Sequence, residues 1–163
     1  MPSPERLYRF VEEHIAAEND ADPTMLARGI LPTLRYDVAG PRYPDDPEPF
    51  NAGGGPHAYL EYWRNISNWF TSYHASIEKI VPFVDQNRAM VFATINAVPA
   101  IDFERLTVGK PYVNPVTALV EFADDGRLAR KSLYASMIMI RLGLHRMHGF
   151  LMAASKGDTA WQS

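Results

Sequence analysis

The sequence predicts an α+β domain: a curved, mostly antiparallel sheet closed on one side by helices into a cone with a pocket inside. Three observations carry this. Apolar residues recur at helical spacing in the stretches around Leu7 and Trp63, the period changes from Ser76 onward, and two hairpins follow, the second around an Asp-Gly turn. Helices segregated from antiparallel strands define this class.

Ser3-Pro4 opens the first helix, because Ser caps and Pro is tolerated at the first helical position. Leu7, Phe10, Val11, His14 and Ile15 form its apolar stripe. "ENDADPTM" breaks the pattern, and a short second helix through Leu26 and Arg28 leads into the strand "ILPTLRYDVAG". The Pro- and Gly-dense "GPRYPDDPEPFNAGGGP" reads as a long irregular loop. Pro56 starts a second long helix, with Tyr59, Leu60, Trp63, Ile66 and Phe70 on its buried stripe. "SIEKIVPFV", the turn "DQN" and "RAMVFATINAV" form one hairpin; "PYVNPVTALVEF", the turn "ADDG" and "RLARKSLYAS" form the other. A helical tail is expected from Met137 to Ala154, within a single domain spanning residues 1–163.

A chain of 163 residues is long enough to bury a real core, and 47% hydrophobic with 21% charged residues is an ordinary globular balance. The formal net charge is −3 and no basic stripe is present, which argues against nucleic acid as a partner. There is no cysteine, hence no disulfide or thiolate metal site. "MPSPERLYRF" lacks a signal-peptide core, and "MIMIRLGL" is too short and too interrupted for a bilayer span. A cytoplasmic protein without membrane partners is expected.

The helix–strand order, "AENDADPTMLARGILPTLRYDV", "FTSYHASIEKIVPFVDQNRAMVFATINA" and "PYVNPVTALVEFADDGRLARKSLYAS" resemble the SnoaL-like group of the nuclear-transport-factor-like superfamily. The resemblance implies the cone-shaped α+β barrel. Within that superfamily "PTLR-x-D" is similar to the entry strand of scytalone dehydratase, and His74 stands where that enzyme carries a catalytic histidine. "Y-x-N" at Tyr112-Val113-Asn114 and Arg35 on the first strand are similar to the fungal meroterpenoid and alkaloid isomerases. Ser132 and Ala135 stand where those isomerases carry carboxylates, and Glu18 and Asn19 where the dehydratase has Tyr-Asp.

A histidine can give or take a proton under ordinary conditions, and His74 lies between helix and strand, from where it can point into the cone or sit at a surface corner. Tyr112 and Asn114 share a strand face with Val116 and Ala118, leaving room for a ligand or meeting solvent at a strand edge. Asn96 interrupts an apolar strand, and a buried amide needs partners from the protein or a ligand. On the first strand Tyr36 and Arg35 point to opposite faces. Tyr36 is taken as lining and Arg35 as a longer-reach cation, against the alternative of an Arg35–Asp37 pair at the sheet edge. The His145-x-x-His148 pair lacks a third ligand and reads as solvated. "NAGGGP" lacks the lysine of a phosphate loop.

These readings predict cofactor-independent acid–base chemistry on an apolar, oxygenated secondary-metabolite intermediate: isomerisation, cyclisation, rearrangement or dehydration. His74 would be the general acid or base, with Tyr112 and Arg35 stabilising negative charge. Tyr36, Trp63, Asn96 and Asn114 would bind the substrate. No metal or cofactor is implied. One alternative is an epoxide hydrolase, for which Glu18 and Asp102 are the candidate carboxylates. The other is a non-catalytic binding or dimerisation module. The resemblance implies a homodimer, or else a trimer, assembled through the outer sheet face where Thr117 and Leu119 point.

Overall fold

The computed structural model describes residues 3–39, 51–134 and 151–152, with only the backbone given at 38–39, 51–53 and 151–152. Ser3 caps α1 (Pro4–Asp20), its hydroxyl accepting from the Arg6 amide. Asp22 caps α2 (Pro23–Arg28), accepting from the Thr24 and Met25 amides. Both caps satisfy amides that a helix start otherwise leaves open, and Pro at the first position costs no hydrogen bond there.

The strands are β1 (Ile30–Ala39), β2 (Asn51–Gly54), β3 (Phe70–Phe83), β4 (Arg88–Pro99), β5 (Tyr112–Phe122), β6 (Leu128–Tyr134) and β7 (Leu151–Met152). α3 (Pro56–Trp69) precedes β3, and a short 3-10 turn, Val84–Gln86, joins β3 to β4. They form one sheet in the order β3-β4-β5-β6-β1-β2-β7. Every adjacent pairing is antiparallel except β1 with β6, which is parallel. Register shifts interrupt β1 between Ile30 and Arg35 and β3 between Ile77 and Lys79. Such irregularities bend a strand and increase its twist. α3 contacts both β1 and β3, well separated in the sheet order, so the sheet curls around it. The α+β cone is therefore realised.

The sequence-based elements differ from the structure in three places. Residues 51–54 of the Gly-rich stretch are not loop but strand, laid between β1 and β7. β3 begins at Phe70 rather than Ser76, directly from α3. Leu151–Met152 is extended and pairs with Gly53 and Ala52, where a helix through Ala154 was expected. The rest of that tail, with His145 and His148, lies outside the described residues.

The core fills the concave side. Leu7, Val11 and Ile15 of α1, Tyr59, Trp63 and Ile66 of α3, and Val91, Ile95, Val116 and Val120 of the sheet are all buried. Alternation along β4 is strict: Val91, Ala93, Ile95 and Ala97 point in, while Phe92 and Asn96 are exposed. The period of two sorts each strand into an inner and an outer face.

Candidate functional site

Two charged side chains sit where the apolar core would be expected to continue. Extending the α1 stripe by one turn beyond His14 and Ile15 brings Glu18 onto the buried face, 2% exposed. On β6, Lys131 lies between Val120 of β5 and Tyr36 of β1 in the register, and is likewise 2% exposed. They meet. Lys131 Nζ donates to both Glu18 oxygens, at 2.5 and 2.7 Å.

The pair is embedded in further partners. The Tyr59 hydroxyl donates to Glu18 Oε1 at 2.9 Å. His14 Nε2 lies 3.0 Å from Glu18 Oε1 and 3.2 Å from Lys131 Nζ. Lys131 Nζ also lies 5.5 Å from the centre of the Trp63 ring, within cation–π range. Burying two charges is tolerated only with this density of compensating contacts.

Burial pushes the Glu18 carboxyl up, but the charges and hydrogen bonds of His14 and Lys131 outweigh it and hold it down at about 2. Burial pushes the His14 imidazole below its ordinary value, against the pull of Glu18. Tyr36, Tyr59 and Tyr73 are all pushed up, first by burial and then by neighbours that include Glu18. At neutral pH Glu18 is thus ionised, while the imidazole and the phenols are neutral.

Glu18 and Lys131 form the polar wall of an interior cavity otherwise lined by Trp63, Tyr73, Val91 and Ile95, among other apolar side chains. Its volume is about 20 Å³ to a water-sized sphere, room for a single water. Two buried donors on the same inner side, Trp63 Nε1 and Asn114 Nδ2, have no hydrogen-bond partner among the described residues. A donor left so costs ~1–3 kcal/mol, which a ligand's acceptor would recover.

The side chains singled out from sequence divide between the two faces. Tyr36, Trp63 and Asn114 are buried on the inner side, and Tyr112 lies half-buried on the inward face of β5. His74 and Asn96 are cross-strand partners and both are exposed on the outer face, so His74 does not point into the cone. Its placement follows from alternation: Tyr73 and Ala75 take the inner positions. Arg35 is exposed on the outer face opposite Arg130, because Tyr36 owns the inside; the register shift between Ile30 and Arg35 does not turn it inward. Asp37 does not pair with Arg35 but accepts from the Ser132 hydroxyl at 2.8 Å. Asp102 is an exposed loop residue accepting from the Val108 amide. Asn19 is structural: its amide exchanges two hydrogen bonds with the Ala75 backbone.

His74, Asn96 and Tyr112 nevertheless line one open depression of about 260 Å³ at the end of the sheet. Tyr73 lines both that depression and the interior cavity, and so forms the wall between them.

The model of the SnoaL-like domain matches residues 11–131, which is most of the chain and spans His14, Glu18 and Lys131. The chain belongs to the SnoaL-like domain family. No curated protein matches it. Among solved structures this SnoaL-like domain is similar to AusH from Aspergillus nidulans, at 7% identity and TM-score 0.66, covering 84% of this chain and 88% of that one. It is similar to IdmH from Streptomyces antibioticus, a candidate polyketide cyclase, at 15% identity and TM-score 0.65, covering 85% and 98%. It is also similar to an LEH-like epoxide hydrolase from M. tuberculosis, at 16% identity and TM-score 0.55, covering 86% and 90%. At such identities the shared property is the fold. Among the described residues, no helix is long and apolar enough to cross a membrane.

Of His14, Glu18 and Lys131, the sequence singles out only Glu18, as a candidate carboxylate; His14 stands in the apolar stripe of α1. The signal was present. Glu18 continues the spacing of Leu7, Val11 and His14, and Lys131 shares parity with Leu133 on β6.

Proposed function

We propose that this SnoaL-like domain is a cofactor-independent acid–base enzyme acting on a small, mostly apolar, oxygenated molecule. Isomerisation, cyclisation and dehydration of a polyketide or terpenoid intermediate belong to this class. The observation that carries the reading is a buried Glu18–Lys131 pair on the wall of an aromatic-lined cavity. Buried ion pairs add little stability over apolar packing, so one kept beside a cavity invites a chemical explanation.

The chemistry couples the two partners. A carboxylate held near 2 by His14 and Lys131, against the push of burial, is a weak base at rest. When negative charge develops on a substrate oxygen, Lys131 is drawn to it and stabilises it. Glu18 then loses one of the partners that hold its carboxyl down, its basicity rises, and it accepts the proton leaving the substrate carbon. Tyr59, kept neutral by burial, stands behind the pair and donates to Glu18. Tyr73 has to swing aside for a substrate larger than water to pass from the outer depression, where His74, Asn96 and Tyr112 would make first contact.

The test uses β-tetralone, an apolar ketone with acidic α-hydrogens, in heavy water. The wild type should accelerate α-deuteration over buffer, and Glu18→Gln should reduce it at least ~100-fold, in line with losing a general base. Buffer-level deuteration in the wild type contradicts the reading. A non-catalytic binding module is the second reading, favoured by the small cavity and by the occupation of both Glu18 oxygens. It predicts binding of apolar ketones without exchange. Epoxide hydrolysis has less support, since Glu18 already accepts from Lys131 and Tyr59 and would have to release one to hold a water.

We also propose a homodimer through the outer face of β4 and β5. Phe92 at 37% and Val113 at 60% exposure leave apolar surface there that a second copy would cover.

A further inference from the structure

On the far side of the Glu18–Lys131 pair lies a second concavity. A cleft of about 360 Å³ runs between α1, α2 and the β5–β6 turn, and His14 and Tyr59 line it. The interior cavity is lined by Glu18 and Lys131. Among the described residues none lines both spaces; two side chains in series, His14 on the cleft side and Glu18 on the cavity side, join them through hydrogen bonds. His14 Nε2 meets Glu18 Oε1 at 3.0 Å, and Lys131 holds both Glu18 oxygens.

We infer that His14 is a proton relay between the cleft and the buried Glu18–Lys131 pair. A side chain placed only to pack would not need two ring nitrogens. With Nε2 committed to the ion pair, Nδ1 is the nitrogen able to exchange a proton on the cleft side. Inbound, Nδ1 takes a proton from solvent while Nε2 passes its own to Glu18 Oε1, and the ring ends neutral as the other tautomer. An outbound proton runs the same path backwards and restores it. No charge has to rest on the imidazole, which burial disfavours.

The ring is held for this task. It stacks on Tyr59 at 6.3 Å and meets the edge of Phe122 at 6.2 Å between centroids. The groups that set its field are Glu18 on its own helix, Tyr59 on α3 and Lys131 on β6, with Glu13, Arg28, Asp125 and Arg127 around the cleft. The cleft charges are of both signs and lie on the solvent side, so they leave the relay direction open both ways.

A function follows for turnover, and this part rests on the acid–base reading above. A proton taken from substrate by Glu18 would leave to solvent through His14 without the substrate having to depart first. The route itself does not depend on that reading and is tested without it. In protein carrying nitrogen-labelled lysine, exchange of the Lys131 ammonium protons with water is measured by NMR. His14→Phe, which keeps a ring and removes both nitrogens, should slow it at least ~10-fold. His14→Gln, which keeps a hydrogen bond but offers no second ring nitrogen, should slow it similarly, and dispersed backbone spectra of both variants establish folding. Unchanged exchange in the folded variants overturns the relay and assigns water entry to the interior cavity. Slowed exchange together with a wild type inert toward β-tetralone would sink the acid–base reading and leave the relay standing. Active wild type with unchanged exchange does the reverse.

Discussion

Glu18 is the residue on which the account turns, and its environment makes a pH prediction. Its carboxyl is held below the ordinary 4.5, at about 2, in the folded protein. The unfolded chain therefore binds the proton first as pH falls, and the stability that Glu18 supplies is full above ~4.5 and lost on the way down toward 2. His14, depressed by burial, adds a loss that begins higher, below its ordinary 6.5. Urea unfolding across pH should show a steep acid limb in the wild type. Glu18→Gln should flatten the part between ~4.5 and 2 while lowering stability at neutral pH by ~3–5 kcal/mol, since it strands the Lys131 charge. Parallel acid limbs in the two proteins would remove Glu18 from this role.

At the scale of elements, the β5–β6 turn fixes the cleft side of the site. Gly126 adopts φ +88°, and a Cβ there would come within 2.6 Å of the Phe10 ring. The turn is closed by the Gly126 amide donating to Ala123 and by the Ala123 amide donating to Arg127, at 2.9 and 2.8 Å. Left-handed backbone costs a non-glycine residue ~1–2 kcal/mol, and the ring contact adds to it. Gly126→Ala should lower unfolding free energy by ~2–4 kcal/mol in chemical denaturation; a loss under ~1 kcal/mol would mean that Phe10 yields freely.

The legibility of the chain also follows elements. Helical stripes and both hairpins could be read because each is a local pattern: the Ser3-Pro4 start and the Asp125-Gly126 turn both sit where expected. The strand at Asn51–Gly54 could not, since Gly-rich sequence carries no strand preference and its extension comes from pairing with β1 and β7. Site residues were harder. The contest between Arg35 and Tyr36 was posed correctly by alternation, but which face is inside is decided by α3 covering one side of β1. His74 lies on β3, which starts at Phe70 rather than Ser76, so alternation gives Tyr73 the inward position and turns His74 outward. Glu18 and Lys131 are 113 residues apart, and only the fold brings them together.

For the whole molecule, the proposed function puts chemistry inside the cone and the proposed homodimer puts assembly on its outer face. Light scattering should give the wild type a dimer mass, and Phe92→Lys combined with Val113→Lys should give a monomer; a monomeric wild type would contradict assembly through this face. The interior claim has a sharper test. Replacing both partners of a buried ion pair leaves no stranded charge, so Glu18→Gln/Lys131→Met should fold with stability close to that of the wild type. The decisive measurement is β-tetralone α-deuteration by this double variant beside the wild type. The pair as chemical machinery predicts strong acceleration in the wild type and buffer-level exchange in the stable double variant. Equal deuteration by both proteins would show that the buried pair holds the cone together and does nothing more.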